Sequence, residues 1–230
     1  MHLAFSSHSP RYGAIRALRN VSLALVFSAT AAAAEPGPAV TVLALGDSLT
    51  AGYGLPEGEG FVPQLEHWLE SHGEEVEVVN AGVSGDTTAG GLARLNWSLT
   101  PEVDAMIVNL GGNDLLRGLD PAMSRANLQA ILEEARARDM PVLLVGLEAP
   151  GNYGPDYKQA FDAIYPDLAR QFQADLERSF FAPLTARLDE ADARQRYMQP
   201  DGIHPSAEGV ALIVEAIGPR VKALVERARD

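Results

Sequence analysis

The sequence predicts an α/β protein, a three-layer α/β/α sandwich around a parallel five-stranded sheet. Three observations predict it. Short apolar runs recur along the chain, longer amphipathic stretches separate them, and glycine and polar residues follow the runs. Continuous apolar runs of this length are typical of strands buried on both faces of a parallel sheet. Their alternation with amphipathic stretches favours helices on both faces, joined by right-handed crossovers.

Four of the apolar runs are strong strand candidates and a fifth is weaker. The strong candidates, all rich in Val, Leu and Ile, are Val40–Leu45, Val76–Val79, Ala105–Leu110 and Val142–Leu147. The weaker one is Phe180–Ala182. Five such runs predict the five strands of the sheet.

The stretches between the runs carry helix signals. Apolar residues recur at helical spacing between residues 61 and 69 and would form one buried stripe. Asp120 followed by Pro121 is typical of an N-cap and a first helical position. Residues 157–173 have a helical pattern that Pro166 should kink or split. A last helix is predicted at the C-terminus.

Length and composition restrict the class of protein. The 230 residues suggest one domain, and 47% apolar with 21% charged residues exclude a mainly disordered chain. Eighteen basic residues against 31 acidic ones give a net charge of −13, which argues against nucleic acid as a partner. The absence of cysteine excludes disulfides, thiol catalysis and cysteine–metal sites.

Residues 1–34 have the pattern of a secretory signal peptide. They contain three arginines and no acidic residue, then the apolar run Val21–Phe27, then alanines up to Ala34. Cleavage there would leave residues 35–230 as the mature domain, periplasmic or secreted and without stable membrane association. The alternative is an uncleaved anchor helix, although the apolar run is short against the ~20 residues that a span needs.

Chemistry-bearing residues follow successive runs of the predicted sheet. Ser48 follows the first run, Gly85 the second and Asn113 the third, while Asp201 and His204 precede the last helix. In open parallel sheets, ligands bind beyond the carboxyl ends of the strands. We therefore expect these five residues to converge on one edge of the sheet.

The residue types at this edge fit acyl transfer. A serine needs an adjacent base, and His204 is the natural candidate. Asp201, three residues earlier in a turn, can fix the imidazole tautomer. Gly85 and Asn113 can offer N–H donors to a developing oxyanion. Taken singly, each residue also has an ordinary structural interpretation, as a helix cap or a turn residue.

The conjunction of these residues nevertheless favours a serine hydrolase. His67 and His72 lie five residues apart on a predicted surface helix, which does not place them on one face, so both are expected to be solvated. No metal and no cofactor is predicted.

The residues Gly46-Asp47-Ser48-Leu49 resemble the GDSL motif of the SGNH hydrolases, a family named for Ser, Gly, Asn and His in four blocks. Here these would be Ser48, Gly85, Asn113 and His204, with Asp201 completing the triad. The surrounding blocks are similar to the periplasmic thioesterase I, lysophospholipase and arylesterase branch, except that an acidic residue is more usual where Asn109 stands.

This resemblance covers essentially the whole chain after Val40. It implies a flavodoxin-like sheet, oxyanion donors at Ser48, Gly85 and Asn113, and no cofactor. It also implies hydrolysis of acyl thioesters, aryl esters and lysophospholipids. Two alternatives are a carbohydrate O-acetylesterase on the same scaffold and a non-catalytic binding protein, which would be expected to have lost the serine, asparagine or histidine.

The expected partner is a small acyl ester or thioester, and the protein is expected to be a monomer. Leu115, Leu147 and Tyr153 are candidates for lining an apolar acyl channel. Tyr153 lies in a segment rich in Gly and Pro, which predicts a loop. It can equally serve to pack that loop onto the domain.

Overall fold

Five parallel strands form one sheet at the centre of the fold, in a computed structural model that describes residues 39–187 and 192–229. The strands are β1 (Val40–Gly46), β2 (Val76–Gly82), β3 (Ala105–Asn109), β4 (Val142–Val145) and β5 (Asp175–Glu177). Their order across the sheet is β2-β1-β3-β4-β5. The predicted signal peptide, residues 1–34, lies outside the described residues.

Helices cover both faces of this sheet. In the described ranges they are α1 (Ser48–Ala51), α2 (Phe61–Ser71), α3 (Thr88–Ser98), α4 (Gly112–Leu116), α5 (Pro121–Ala137), α6 (Pro155–Asp162), α7 (Ile164–Phe172), α8 (Ala182–Thr185), α9 (Ala193–Tyr197) and α10 (Ala207–Ala228). Helices α2 and α10 pack together on one face, and α3, α5 and α7 pack side by side on the other. The predicted α/β/α sandwich is confirmed.

The chain reverses its direction of travel across the sheet between β1 and β3. It moves outward from β1 to β2, then returns past β1 to build β3, β4 and β5 on the other side. In the register, Gly46 lies opposite both Gly82 and Asn109, so three strands end at the same level. The loops that follow β1 and β3 therefore diverge around a crevice, the usual ligand site of such sheets.

The fifth strand lies earlier than the sequence predicts. It is Asp175–Glu177, paired with β4, and not Phe180–Ala182. As an edge strand, β5 has a neighbouring strand on one side only, and all three of its residues are half-buried. No continuous apolar run therefore marks it. Phe180 is buried instead after the chain has turned, with its N–H donating to the Gly146 carbonyl at 2.9 Å.

Two predicted helix features are present. The Asp120 carboxylate caps α5 by accepting from the Ala122 N–H at 2.9 Å. The helical pattern of residues 157–173 is divided into α6 and α7, with the break at Ala163. Pro166 falls in the first turn of α7, where its missing N–H removes no intrahelical bond, so the split precedes the proline by three residues.

A buried carboxylate ties three helices of one face together. Asp114, in α4, is 2% exposed. It accepts hydrogen bonds from the Thr88 N–H at 2.8 Å, the Thr88 hydroxyl at 2.6 Å and the Ser124 hydroxyl at 2.9 Å. Thr88 begins α3 and Ser124 lies in α5. Because a buried charge is tolerated only when donors surround it, this network fixes the position of α4.

The chain from Pro36 to Asp230 forms one compact unit that contains every described helix and strand and the whole described core. A unit with its own hydrophobic core is expected to fold by itself. Within the described residues, no helix combines the length and the apolar character that a membrane span requires.

We expect Asp114→Ala to lower the free energy of unfolding by about 3 kcal/mol, because three buried donors lose a charged acceptor. Urea denaturation followed by circular dichroism measures this. Glu70, exposed on α2, provides a matched carboxylate. Glu70→Ala should change stability by less than about 0.5 kcal/mol. Equal losses in the two variants would show that the network contributes no special stability.

Candidate active site

Ser48 is the first residue of α1, directly after β1. Asp47 is the N-cap of this helix, its side chain accepting from the Leu49 N–H at 3.0 Å. Asp47 thus caps α1 and places the Ser48 side chain at the level where the strands end.

Two glycines allow α1 to lie directly on the ends of the strands. A Cβ at Gly46 would collide with the Thr50 side chain, and a Cβ at Gly82 would collide with the backbone of Ala51. Any side chain at either position would push α1 away from the sheet. The position of Ser48 thus depends on backbone packing that only glycine permits.

Ser48, His204 and Asp201 form a continuous hydrogen-bonded triad. The distance from Ser48 Oγ to His204 Nε2 is 2.8 Å, and the distance from His204 Nδ1 to Asp201 Oδ2 is 2.6 Å. A neutral imidazole that donates its Nδ1 hydrogen to the carboxylate keeps the Nε2 lone pair free to accept from the serine hydroxyl. This arrangement can remove the proton from Ser48.

The turn that carries the acid and the base is fixed by its own backbone. Asp201 Oδ1 accepts from the N–H groups of Ile203 at 2.9 Å and His204 at 3.0 Å. The hydrogen bond from the His204 side chain, followed by that from its backbone, lowers the pKa of Asp201 to about 2. Asp201 is therefore ionised at every pH at which the imidazole can serve as a base.

Gln199 joins this turn to the loop after α1, a role that no sequence motif indicates. Its side-chain amide donates to the carbonyls of Tyr53 at 2.8 Å and Pro205 at 2.9 Å. Its backbone N–H donates to the His204 carbonyl at 2.8 Å. The Tyr53 ring packs against the imidazole of His204 with ring centroids 4.7 Å apart. These contacts hold the base over Ser48.

Gly85 occupies the third position of a tight turn after β2. The Asp86 N–H donates to the Val83 carbonyl at 3.1 Å and closes the turn. Gly85 has φ of +88°, whereas Ser84 is not among the residues with positive φ, which is the pattern of a type II turn. This turn type sets the direction of the Ser84–Gly85 peptide, and hence of the Gly85 N–H.

Two arginines brace this turn, and both were missed by the sequence analysis. Arg117 Nη2 donates to the Gly85 carbonyl at 2.9 Å, and Arg94 pairs with Asp86 at 2.6 Å. Arg94 also donates to the Gly46 carbonyl at 2.8 Å. Arg117 follows Asn113 by four residues, a helical spacing that could have suggested a shared role.

Asn113 faces Asp47 across the crevice between β1 and β3. Its Nδ2 lies 3.4 Å from Asp47 Oδ2, a long contact. Asp47 is 2% exposed, and burial raises its pKa to about 6, although the Leu49 N–H and the Asn113 amide oppose the shift. An ionisable carboxyl group therefore lies beside the candidate oxyanion donor, which the sequence did not indicate.

A small cavity of about 120 Å³ brings most of the predicted site residues together. Ser48, His204 and Asn113 line it with Leu115 and Leu147. A larger cavity of about 730 Å³ adjoins it. Both cavities are bordered by Leu116, Glu148, Phe181 and Ile203.

Three predicted residues, Gly85, Asp201 and Tyr153, do not line either of these cavities. Asp201 lies behind the His204 ring, with its Oδ2 at 2.6 Å from Nδ1. The Gly85 carbonyl accepts a hydrogen bond from Arg117, which is the C-cap residue of the helix that carries Asn113. The Tyr153 hydroxyl donates to the Leu116 carbonyl at 3.1 Å, and its ring lies 5.0 Å from that of Tyr157. Tyr153 therefore supports a residue of the cavity wall, and direct contact with an acyl chain stays a prediction.

The other predicted histidines lie away from this site. His67 and His72 are exposed, and the His72 ring stacks on Trp68 at 3.7 Å between centroids. Among the residues that the structure describes, no group of three His, Cys, Asp or Glu side chains could hold a metal ion.

Comparisons with known proteins agree with this geometry. Residues 44–212 match the profile described as the GDSL-like Lipase/Acylhydrolase family. The chain is 41% identical over 204 residues to Esterase TesA of Pseudomonas aeruginosa, covering 88% of this chain and 96% of that protein. It is 37% identical over 186 residues to Thioesterase 1/protease 1/lysophospholipase L1 of Escherichia coli, covering 80% and 85%. The structure resembles the SGNH-hydrolase family esterase AlinE4, with 46% identity, a TM-score of 0.66 and coverage of 81% and 97%.

The raised pKa of Asp47 gives a pH-dependent stability. An aspartate in an unfolded chain has a pKa of about 4, so the folded protein binds this proton more tightly between about pH 4 and pH 6. Stability should therefore fall as pH rises through this window, by on the order of 3 kcal/mol at completion.

Asp47→Asn cannot ionise, so the variant should gain this amount relative to the wild type between about pH 4 and pH 7. Urea unfolding of both proteins at several pH values measures the difference. A difference that does not change with pH would contradict the raised pKa.

Proposed function

The chain belongs to the GDSL-like lipase and acylhydrolase family, and we propose that it hydrolyses its carboxylic ester and acyl thioester substrates through an acyl-enzyme on Ser48. The observation that carries this proposal is the triad, in which Ser48 Oγ lies 2.8 Å from His204 Nε2. The carboxylate of Asp201 stands on the far side of the same ring at 2.6 Å.

In the first half of the reaction, Ser48 Oγ attacks the carbonyl carbon while His204 Nε2 takes the hydroxyl proton. The tetrahedral intermediate then expels the alkoxide or thiolate, and His204 returns the proton to that leaving group. Asp201 stabilises the imidazolium that exists between the two transfers. The products of this half are an alcohol or thiol and an acyl ester on Ser48.

In the second half, water replaces the leaving group. His204 removes a proton from the water as its oxygen attacks the acyl carbon, and the imidazolium then protonates Ser48 Oγ. The carboxylic acid leaves and the free enzyme is restored.

The oxyanion of both tetrahedral intermediates needs hydrogen-bond donors. We assign this role to the Asn113 amide and to the backbone N–H groups of Ser48 and Gly85. Within the described residues, neither of these two N–H groups is engaged in another hydrogen bond. The contact between Asn113 and Asp47 supports the assignment, because the carboxylate attracts the amide hydrogens and limits the rotation of the side chain.

The cavities support acyl substrates over acetylated carbohydrates. Leu115 and Leu147 border the small cavity, and Leu184, Met198 and other apolar side chains border the larger one. Sugar rings need many polar partners, whereas an alkyl chain gains ~0.8 kcal/mol for each buried CH₂. Measuring activity on p-nitrophenyl esters, on an acyl-CoA and on an acetylated glycan distinguishes an acyl esterase or thioesterase from a carbohydrate O-acetylesterase.

We also propose that the protein is exported and acts outside the cytoplasm as a single chain. The basic and apolar pattern of residues 1–34 supports export. The single-chain proposal is supported by the triad and the assigned oxyanion donors, which one copy supplies together.

Ser48→Ala should lower kcat on p-nitrophenyl butyrate by about 10⁴- to 10⁶-fold without unfolding the protein. Circular dichroism verifies the fold, and Ser71→Ala, on the exposed end of α2, is the matched control. A purified Ser48→Ala protein that retained a tenth of the activity would rule out Ser48 as the nucleophile.

Asn113→Ala should lower kcat by about 10²- to 10³-fold and change KM much less, because the amide acts on the transition state. Steady-state kinetics on the same ester separates the two parameters. An effect confined to KM would mean that Asn113 binds the substrate and does not stabilise the oxyanion.

Export predicts a defined N-terminus. When the full chain is expressed in a Gram-negative host, N-terminal sequencing of the periplasmic fraction should begin near Glu35. Recovery of the intact chain in the membrane fraction would support the anchor interpretation instead.

A further inference from the structure

Exposed apolar side chains are concentrated around the mouth of the active site. Of the seven large apolar residues that stand exposed in the described part of the chain, five lie there: Tyr53, Val83, Leu116, Tyr153 and Ile203. We call these five residues the apolar rim. Each is between 44% and 53% exposed, except Leu116 at 57%.

The members of the apolar rim lie at the carboxyl edge of the sheet, four of them in different loops and Leu116 at the end of α4. Tyr53, Val83, Leu116 and Tyr153 follow β1, β2, β3 and β4 in turn, and Ile203 precedes α10. Leu116 and Ile203 border both cavities, and the Tyr53 ring contacts His204. The rim therefore surrounds the catalytic serine from several sides.

Exposing several apolar side chains to water at one place is energetically unfavourable. Single exposed apolar residues are normal on soluble proteins, but a group gathered at one place marks an interaction surface. The loops of this edge could have carried polar residues without changing the strands that they connect. Tyr53 and Tyr153 also make contacts within the protein, and Leu116 borders the cavities. Each rim residue nevertheless stays at least 44% exposed, and this apolar surface would be covered by contact with something apolar outside the protein.

The charges at the mouth indicate which kind of surface is contacted. The protein as a whole carries a net charge of −13 and would be repelled by an anionic surface. The mouth itself has both signs, with Arg117 beside Leu116, Arg194 in the wall of the larger cavity, and Glu148 and Asp201 close by. Mixed charges around an apolar centre are complementary to zwitterionic headgroups.

We propose that the apolar rim docks reversibly on the surface of zwitterionic phospholipid, so that an acyl chain passes from the lipid directly into the cavity of about 730 Å³. This inference rests on the proposed function for the fate of that chain, but the docking itself requires no catalysis. A second copy of the protein does not suit the rim, because two chains joined there would close each other's active sites.

The test measures binding in the absence of turnover. The Pro36–Asp230 unit carrying Ser48→Ala is mixed with phosphatidylcholine vesicles, and the bound fraction is measured by flotation. Without residues 1–35, the N-terminal apolar run cannot contribute. We expect binding that Leu116→Ser or Val83→Ser, each added to Ser48→Ala, weakens by about tenfold, equivalent to about 1.4 kcal/mol.

Trp97 provides the matched control. It is 89% exposed, but it lies in the last turn of α3, which leads back to the start of β3 at the opposite edge of the sheet. Trp97→Ser should leave vesicle binding unchanged. Circular dichroism verifies that each variant is folded.

Three outcomes would overturn the proposal: no binding to phosphatidylcholine vesicles, an equal loss in the Trp97→Ser protein, or tighter binding to vesicles of anionic phosphatidylglycerol. Wild-type turnover of p-nitrophenyl acetate, a monomeric substrate, is measured in parallel. Failure of that reaction would count against the proposed function alone, whereas normal turnover without vesicle binding would count against docking alone.

Discussion

The close approach of α1 to the ends of β1 and β2 is the constraint on which the active site depends. Gly46 and Gly82 have no side chains, and any Cβ there would meet the Thr50 side chain or the Ala51 backbone. Since Ser48 begins this helix, backbone packing places its hydroxyl within hydrogen-bond distance of His204 Nε2, at 2.8 Å. His204 and Asn113 then need only to reach a fixed point at the edge of the sheet. If Ser48 is the nucleophile, as we propose, its fixed position lowers the reorganisation needed during the reaction.

Two buried aspartates near this point serve different purposes. Asp114 is surrounded by three donors and joins α3, α4 and α5, so its charge stabilises the scaffold beneath Asn113. Asp47 has one close donor, the Leu49 N–H, and a long contact with Asn113, and burial raises its pKa to about 6. A charge with few partners costs stability and acts on its neighbours. The protein thus accepts an electrostatic cost beside Asn113, the oxyanion donor that we propose.

The carboxyl edge of the sheet has an inner and an outer part. The inner part consists of polar groups that loops bring together and that Arg94, Arg117 and Gln199 hold in place. The outer part is the apolar rim, whose residues lie along the chain between Ser48 and His204. The inner and outer parts share the segments at this edge of the sheet. Any movement of the rim on contact with lipid would therefore also move the turn of Gly85 and the turn of His204.

The sequence by itself determined the α/β/α class and identified Ser48, Asp201 and His204 as candidates for a triad. Four strands are marked by apolar runs, of which that of β2 is interrupted by Glu77, and the motif residues follow these runs in order, so both signals are local. The fifth strand was misplaced because an edge strand needs little apolar sequence, while Phe180 is apolar for packing reasons alone. Tertiary structure alone decided that Arg117 braces Gly85, that Gln199 holds the turn of His204, that Tyr153 supports Leu116, and that five exposed side chains form one rim. These relations join residues from distant parts of the chain, and such contacts leave no periodic or local signal in a single sequence.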